Sequence, residues 1–317
     1  MGSPGLRAAT RGSTLARVQT AAVGELLAAA SPGYDVEPLV VDTVGDQRLD
    51  VPISAIGGQG VFVKEVQAAV LDGRAHIAVH SAKDLPSTST DGLVIGAIPR
   101  RGDPRDALVG GTLAGLPTGA LIGTGSVRRR AQLAWLRPDL TFAGLRGNME
   151  TRLAKASGFD AIVVAAAALQ RLGRSAERSE VLDPELVVPQ VGQGALAVEC
   201  RADDHATLAV LATIDHRPTR LAVEAERAFL REVGGSCDLP VGAYAVVDDD
   251  GTIHLEGLIA TGDGRIVLRR RDDDPDPEEL GRRVARHLLD DAGGSHLLDV
   301  GLGVGIGTVE AFSSSDG

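Results

Sequence analysis

His76-Ile77-Ala78-Val79-His80-Ser81-Ala82-Lys83-Asp84 is a short apolar run closed by a serine, a lysine and an aspartate. The run reads as a buried strand from His76 to His80. Before it, Phe62, Val63, Val66, Ala69 and Val70 recur at helical spacing and stop near Gly73. Nearer the N-terminus, Leu6 to Thr10 reads as a strand, a helix capped by Ser13 runs to about Ala30, and Val36 to Val41 is a second strand. Gly92 to Ile98 is a further strand on the other side. Strand alternating with helix predicts a mostly parallel, doubly wound sheet, in which ligands lie beyond the carboxyl ends of the strands. Ser81 to Asp84 occupy such an end. Arg11 and Ser13 stand at a helix N-terminus, whose unpaired N–H groups favour an anion.

The glycine-rich segment from Asp42 to Gly60 has the length and composition of a mobile lid. Arg100-Arg101-Gly102-Asp103-Pro104-Arg105-Asp106 breaks the pattern with charge, glycine and proline, and reads as a domain boundary and hinge. A second alternating series follows: strand Leu121 to Thr124, helix Val127 to Leu136, strand Thr141 to Leu145, helix Met149 to Ala156, strand Ala161 to Ala165, and a short helix ending near Gly173. Val187 to Gln190 and Gly192-Gln193-Gly194 lead into a strand holding Cys200 and a helix near Asp204 to Ile214, which return the chain to the first domain. A helix then runs from Pro218 to Val233. Beyond it the period changes to two, with hairpin signals at Asp250-Gly251 and Asp263-Gly264, and the acidic run Asp272 to Glu279 begins a last helix. The expected class is α/β: two doubly wound lobes around a cleft, as in periplasmic binding proteins, plus a smaller α+β C-terminal domain with a three-stranded antiparallel sheet. The expected domains are 1–99 plus 194–215, 103–190, and 218–317.

At 317 residues, with 44% hydrophobic and 24% charged residues, the chain has the composition of a soluble protein of two or three domains. Its net charge of −11 argues against nucleic acid or an acidic membrane as a partner, so any arginine cluster must be local and purposeful. The start Met1-Gly2-Ser3-Pro4 has no apolar signal core, and the apolar run Ala161 to Leu169 is too short to span a bilayer. The expected location is cytoplasmic. Of the two cysteines, Cys200 lies in an apolar strand and packs as a small hydrophobe, whereas Cys237 follows Gly234-Gly235-Ser236 just outside a helix. His76 and His80 share a face but lack a third ligand with suitable spacing, so no metal is expected.

Gly123-Thr124-Gly125-Ser126-Val127-Arg128-Arg129-Arg130 crowds three arginines onto the positive end of a helix, against the macrodipole. An anion held among Thr124, Ser126 and the guanidiniums would reverse that cost. Arg146, Arg152 and Arg171 repeat the placement near strand ends, which points to a small polycarboxylate. Neither a Walker loop nor an early Gly-x-Gly-x-x-Gly is present, so no nucleotide cofactor is indicated. Asp84 is the acid beside this basic region; by residue type alone, pairing with Lys83 and chemistry on the substrate weigh equally.

Arg7 to Ser13, Phe62 to Glu65, Ala78 to Pro86, Asp103 to Asp106, Arg146 to Asn148, Val191 to Ala195 and Gly235 to Cys237, in order along nearly the whole chain, resemble the hydroxymethylbilane synthase (porphobilinogen deaminase) family. The resemblance implies that four porphobilinogen molecules are condensed head to tail, with loss of ammonia, onto a dipyrromethane cofactor held by a thioether at Cys237. It further implies that Asp84 is catalytic and that Lys83, Thr124, Ser126, Arg128, Arg129 and Arg146 bind the cofactor. Arg11, Ser13, Arg152, Arg171 and Gln193 would bind substrate. It implies a monomer in haem biosynthesis that passes its product to uroporphyrinogen-III synthase. Thr14, Gln59 and Gly125 depart from the family pattern, where proline, lysine and serine respectively are common. Two other readings compete: a solute-binding receptor, which gives no reason for Cys237, and a thiol-dependent hydrolase, for which no general base is placed beside that cysteine.

Overall fold

The computed structural model describes residues 5–43, 63–234 and 239–303. The chain opens with β1 (Gly5–Arg11) and α1 (Thr14–Ala30), whose N-cap Ser13 accepts from Ala16 N at 3.4 Å. β2 (Asp35–Val41), α2 (Lys64–Leu71), β3 (Ile77–Ser81), a 3₁₀ turn over Ala82–Asp84 and β4 (Leu93–Ala97) follow. Most of the segment read as a lid lies outside the described residues. β5 (Asp106–Val109) begins inside the stretch expected to be only a hinge. Then come β6 (Leu121–Gly123), α3 (Val127–Leu136), β7 (Thr141–Ala143), α4 (Met149–Ala154), β8 (Ala161–Ala165), α5 (Ala166–Arg171) and β9 (Glu180–Val181). β10 (Leu196–Arg201), α6 (His205–Leu211) and α7 (Arg217–Val233) precede the hairpin strands β11 (Val241–Val247), β12 (Ile253–Ala260) and β13 (Val267–Asp274), and α8 (Pro277–Arg286) and α9 (Gly294–Gly303) end the described chain.

The first sheet has the order β2-β1-β3-β10-β4 and the second β7-β6-β8-β5-β9. Each is mixed rather than mostly parallel. β1 runs parallel to β2 and β3, but β10 is antiparallel to β3 and β4; β6 runs parallel to β7 and β8, but β5 is antiparallel to β8 and β9. The reason is visible in the register. Leu196 at the start of β10 faces Ser81 at the end of β3, and Asp106 at the start of β5 faces Ala165 at the end of β8. Each crossing between the sheets therefore enters its new sheet at the carboxyl ends of the parallel strands and must run back against them. The two crossings and the expected ligand position coincide.

The third sheet, β11-β12-β13, is antiparallel throughout. Asp272 to Asp274, expected to open a helix, instead complete β13; Arg283 of α8 donates to Asp272 Oδ2 at 3.1 Å and to Asp274 Oδ2 at 2.9 Å, which offsets their mutual repulsion. The helix starts at Pro277, capped by Asp276. α7 and α8 cover this sheet around the fully buried Phe229, with Val284, Leu280, Ile253 and Leu255 in the same cluster. The helices approach so closely at Gly281 that a Cβ there would stand 2.4 Å from Ala225 O, and no other residue fits. α7 ends at Gly234 in the left-handed conformation, as the Gly-Gly signal predicted.

Candidate active site

β3 delivers the turn that carries Lys83 and Asp84. Ser81 Oγ at its end accepts from Gln19 Nε2 of α1 at 2.8 Å. On the strand's α2 side, His80 Nε2 lies 3.0 Å from Glu199 Oε2, and Glu199 accepts from Gln67 Nε2 at 2.9 and 3.1 Å. His76 Nδ1 accepts from Arg7 N at 2.9 Å, so both histidines have protein partners. Asp84 is half-buried and has no hydrogen bond or ion pair among the described residues. Burial above all pushes the Lys83 amine down to about 8; the Arg129 and Arg152 charges add to that, against the pull of Asp84 and Asp106. Burial likewise lowers Arg152 to about 10, with Arg129 and Arg146 acting in the same direction and Asp84 against. The first sheet's turn and the second sheet's arginines thus share one electrostatic neighbourhood.

The anion at the start of α3 is the protein's own. Asp106, fully buried, accepts from Arg128 Nη2 at 2.7 Å, from Arg129 Nη2 at 2.7 Å and Nε at 3.0 Å, and from Gln193 Nε2 at 2.8 Å. Burial would raise this carboxyl, but the two guanidiniums and their hydrogen bonds outweigh it and hold it far below the usual carboxylate range. Arg128 also donates to Val188 O at 2.5 Å and Arg129 to Val163 O at 2.9 Å. Both arginines are almost wholly buried, and Gln193, expected to touch substrate, is fully buried between Asp106 and Pro104 O. These three side chains join the crossings into one knot.

The remaining arginines are differently placed. Arg146 is exposed and has no hydrogen bond or ion pair among the described residues. Arg152 donates to Gly147 O at 2.9 Å. Arg171 donates to Gly194 O at 2.6 Å, and burial brings it to about 10 without a carboxylate beside it. Gly194 sits at φ 87°, and a Cβ there would stand 2.7 Å from Gly102 O, so the crossings touch backbone to backbone. Arg11 ends β1 and Ser13 caps α1. Thr124 is buried, its Oγ1 accepting from Ser126 N at 3.1 Å, and Ser126 caps α3. A side chain at Gly125 would place Cβ 2.9 Å from Leu145 O, which gives that departure a physical basis. Thr14 Oγ1 donates to Glu150 Oε2 at 3.3 Å, between the first two sheet units.

Cys237 lies outside the described residues. Cys200 is buried, and burial pushes its thiol up to about 11, so it is the inert cysteine expected. Sequence reading missed the residues that organise the knot. Glu226 of α7, fully buried, accepts from Arg101 Nη1 at 2.6 Å, Gly192 N at 2.7 Å and Ala245 N at 2.9 Å, while Arg101 stacks on the Tyr244 ring at 5.3 Å. A glutamate on the apolar face of a helix was the available signal. Around the turn, among the described residues, the cations Lys83, Arg128, Arg129, Arg146 and Arg152 outnumber the carboxylates Asp84 and Asp106, of which Asp106 is already committed. Such an excess of positive charge fits a ligand with several carboxylates.

Residues 6–209 match the family model described as porphobilinogen deaminase, dipyromethane cofactor binding domain, and residues 220–290 match that of the porphobilinogen deaminase C-terminal domain. A porphobilinogen deaminase of Roseiflexus castenholzii is 50% identical over 295 residues, covering 91% of this chain and 97% of its own. Those of Brevibacillus brevis and Acidothermus cellulolyticus are 47% and 49% identical; the first covers 92% of this chain and 96% of its own, the second 92% and 91%.

Proposed function

The chain belongs to the porphobilinogen deaminase family, and from that premise we infer that it is a hydroxymethylbilane synthase with Asp84 as its catalytic carboxylate and Cys237 as the attachment point of its cofactor. The reaction joins four porphobilinogen molecules head to tail, releases ammonia and yields hydroxymethylbilane for haem biosynthesis. The cofactor is dipyrromethane, which when bound supplies the pyrrole to which the first substrate is joined.

The observation that carries the assignment is the contrast between two acids in one basic neighbourhood. Asp106 is consumed by two arginines, whereas Asp84 is half-buried and unpaired among the described residues. A carboxylate in that position stabilises positive charge developing on a substrate pyrrole nitrogen as ammonia departs, and can hold the proton lost when aromaticity returns. Lys83, Arg146, Arg152 and Arg171 offer donors for the acetate and propionate groups of cofactor and substrate, with Arg11, Ser13, Thr124 and Ser126 at neighbouring strand and helix ends. Arg128 and Arg129 act one step back: their pairing with Asp106 and Gln193 fixes the hinge and adds net positive charge. The division at 1–99 plus 194–215, 103–190 and 218–317, a monomeric state, a cytoplasmic location and delivery of product to uroporphyrinogen-III synthase belong to the same proposal. Among the described residues no helix is long and apolar enough to cross a membrane.

Intact denatured mass of the protein and its Cys237→Ala variant tests the attachment, and ammonia release from porphobilinogen by Asp84→Asn tests the carboxylate. The expected results are a two-pyrrole excess in the parent alone, and turnover lowered by about 10²- to 10⁴-fold in a folded Asp84→Asn protein. The same excess in Cys237→Ala, or near-normal turnover in Asp84→Asn, removes the corresponding residue from its role.

A further inference from the structure

α7 packs against the turn that carries Asp84 and hydrogen-bonds the stretch that follows it. Val223, fully buried, sits in one apolar cluster with Ala82 and Leu85, on either side of Lys83 and Asp84. One turn further, Arg227 is only 6% exposed, and its Nη2 donates to Pro86 O at 2.7 Å and Ser87 O at 3.3 Å, while Arg231 Nη1 reaches the same Ser87 O at a longer 3.4 Å. Burial foremost, and the charge of Arg231 next, press the Arg227 guanidinium below its ordinary range; Glu199 and Glu224 act against this at longer range. No carboxylate bonds it directly among the described residues. Burying an arginine to hold two carbonyls is costly where an apolar side chain would pack as well. That cost is explained if the position of those carbonyls matters.

The helix grips the other side of the turn too. Glu226 accepts from Gly192 N at 2.7 Å, and Gly192 lies so near the turn that a Cβ on it would stand 3.0 Å from Lys83 N. One rigid element therefore fastens the turn on both sides, through Arg227 to the Pro86 and Ser87 carbonyls and through Glu226 to Gly192.

We propose that Arg227 is a positioning residue that sets the placement of the Asp84 carboxylate, by tying the Pro86 and Ser87 carbonyls to α7. The proposal rests on the reading of Asp84 above. Without Arg227 the Pro86 carbonyl is released and Ser87 O keeps only the longer bond from Arg231; substrate still meets Lys83, Arg146 and Arg152, but Asp84 no longer stands where charge develops. A displacement of about 1 Å is enough to cost up to a hundredfold in rate.

The test compares holoenzyme carrying Arg227→Gln, Arg227→Lys and Val223→Ala, with porphobilinogen as substrate and thermal midpoint, KM and kcat read for each. Arg227→Gln is expected to lower kcat by about ten- to a hundredfold while KM stays within about twofold. Arg227→Lys, which keeps the charge and one donor, is expected to recover part of that loss. Val223→Ala removes packing but not the tie; it is expected to lower the midpoint and leave kcat of the folded enzyme unchanged. Should Arg227→Gln fail to fold, the same split in Arg227→Lys decides. A normal kcat in the folded Arg227 variants, or an equal fall in kcat for Val223→Ala, overturns the proposal. Intact mass keeps the two readings apart. If the two-pyrrole adduct sits on Cys237 and Asp84→Asn is inactive while Arg227→Gln turns over normally, only the positioning role falls.

Discussion

Replacing Asp106 by asparagine removes, among the described residues, the only carboxylate bonded to two buried guanidiniums, and the structure says how the cost should compare with that of removing one of those guanidiniums. Arg128, Arg129 and Asp106 together carry one excess positive charge, and all three are nearly or wholly buried. Asp106→Asn leaves two cations with no compensating charge, which on the scale for breaking a buried ion pair costs about 3–5 kcal/mol. Arg128→Met leaves a neutral Asp106–Arg129 pair and loses one charged hydrogen bond plus the donor to Val188 O, for about 1.5–3 kcal/mol. An isolated Asp106–Arg128 ion pair would instead predict equal costs, since either substitution breaks the same pair. Urea unfolding of both variants and of the double variant measures it. The double variant should cost less than the sum of the singles by about 1–3 kcal/mol, because removing Arg128 relieves half of what Asp106→Asn exposes. Equal single costs, a larger cost for Arg128→Met, or strict additivity would refute the net-positive knot and return Arg128 to the role of a ligand clamp.

Arg146→Leu should leave the urea midpoint unchanged, because Arg146 is exposed and unpaired among the described residues, while slowing elongation; unchanged turnover would take it out of the carboxylate-binding set. The Lys83 amine at about 8, against 10.5 when free, makes a pH-dependent difference between the parent and Lys83→Met. Its folded value is depressed, so the charged form is disfavoured by folding, and the parent should gain stability relative to the variant as pH rises from 8 to 10.5; a polycarboxylate ligand should raise the amine's pKa and flatten that slope. Thr14→Val should remove the hydroxyl bond to Glu150 and change KM, with little effect on stability; identical KM values would show that this contact has no part in bringing the first two sheet units together.

The alternation of strands and helices was readable because each segment carries its own period, and Ser13 caps the first helix where its sequence placed it. Strand direction was not readable. Whether β10 joins parallel or antiparallel depends on where the chain re-enters the sheet, and Leu196 opposite Ser81 is a tertiary fact without a local signature. β5 was hidden for a related reason: Asp106 looked like part of a charged breaker, yet its charge is neutralised by arginines more than twenty residues away. β13 ran longer than expected because Arg283, on the next helix, neutralises Asp272 and Asp274.

The same limit decides how far the site itself can be read. Residue type and position at strand ends suffice to collect the arginines, since a protein of net charge −11 has no general reason to gather them there. They do not say which guanidinium is spent on the protein. Arg128 and Arg146 look alike as letters, but one is buried against Asp106 and the other is exposed and unpaired among the described residues. The distinction separates two jobs that one cluster has to do. A hinge through which both crossings pass needs charges that are permanently satisfied, or it would loosen whenever ligand left. A site that accepts a growing polycarboxylate needs charges that are not. The fold places Asp106 inside the second sheet and Asp84 at the carboxyl end of the first, so that under the proposed function Asp84 and its surrounding cations are the groups that respond to what binds.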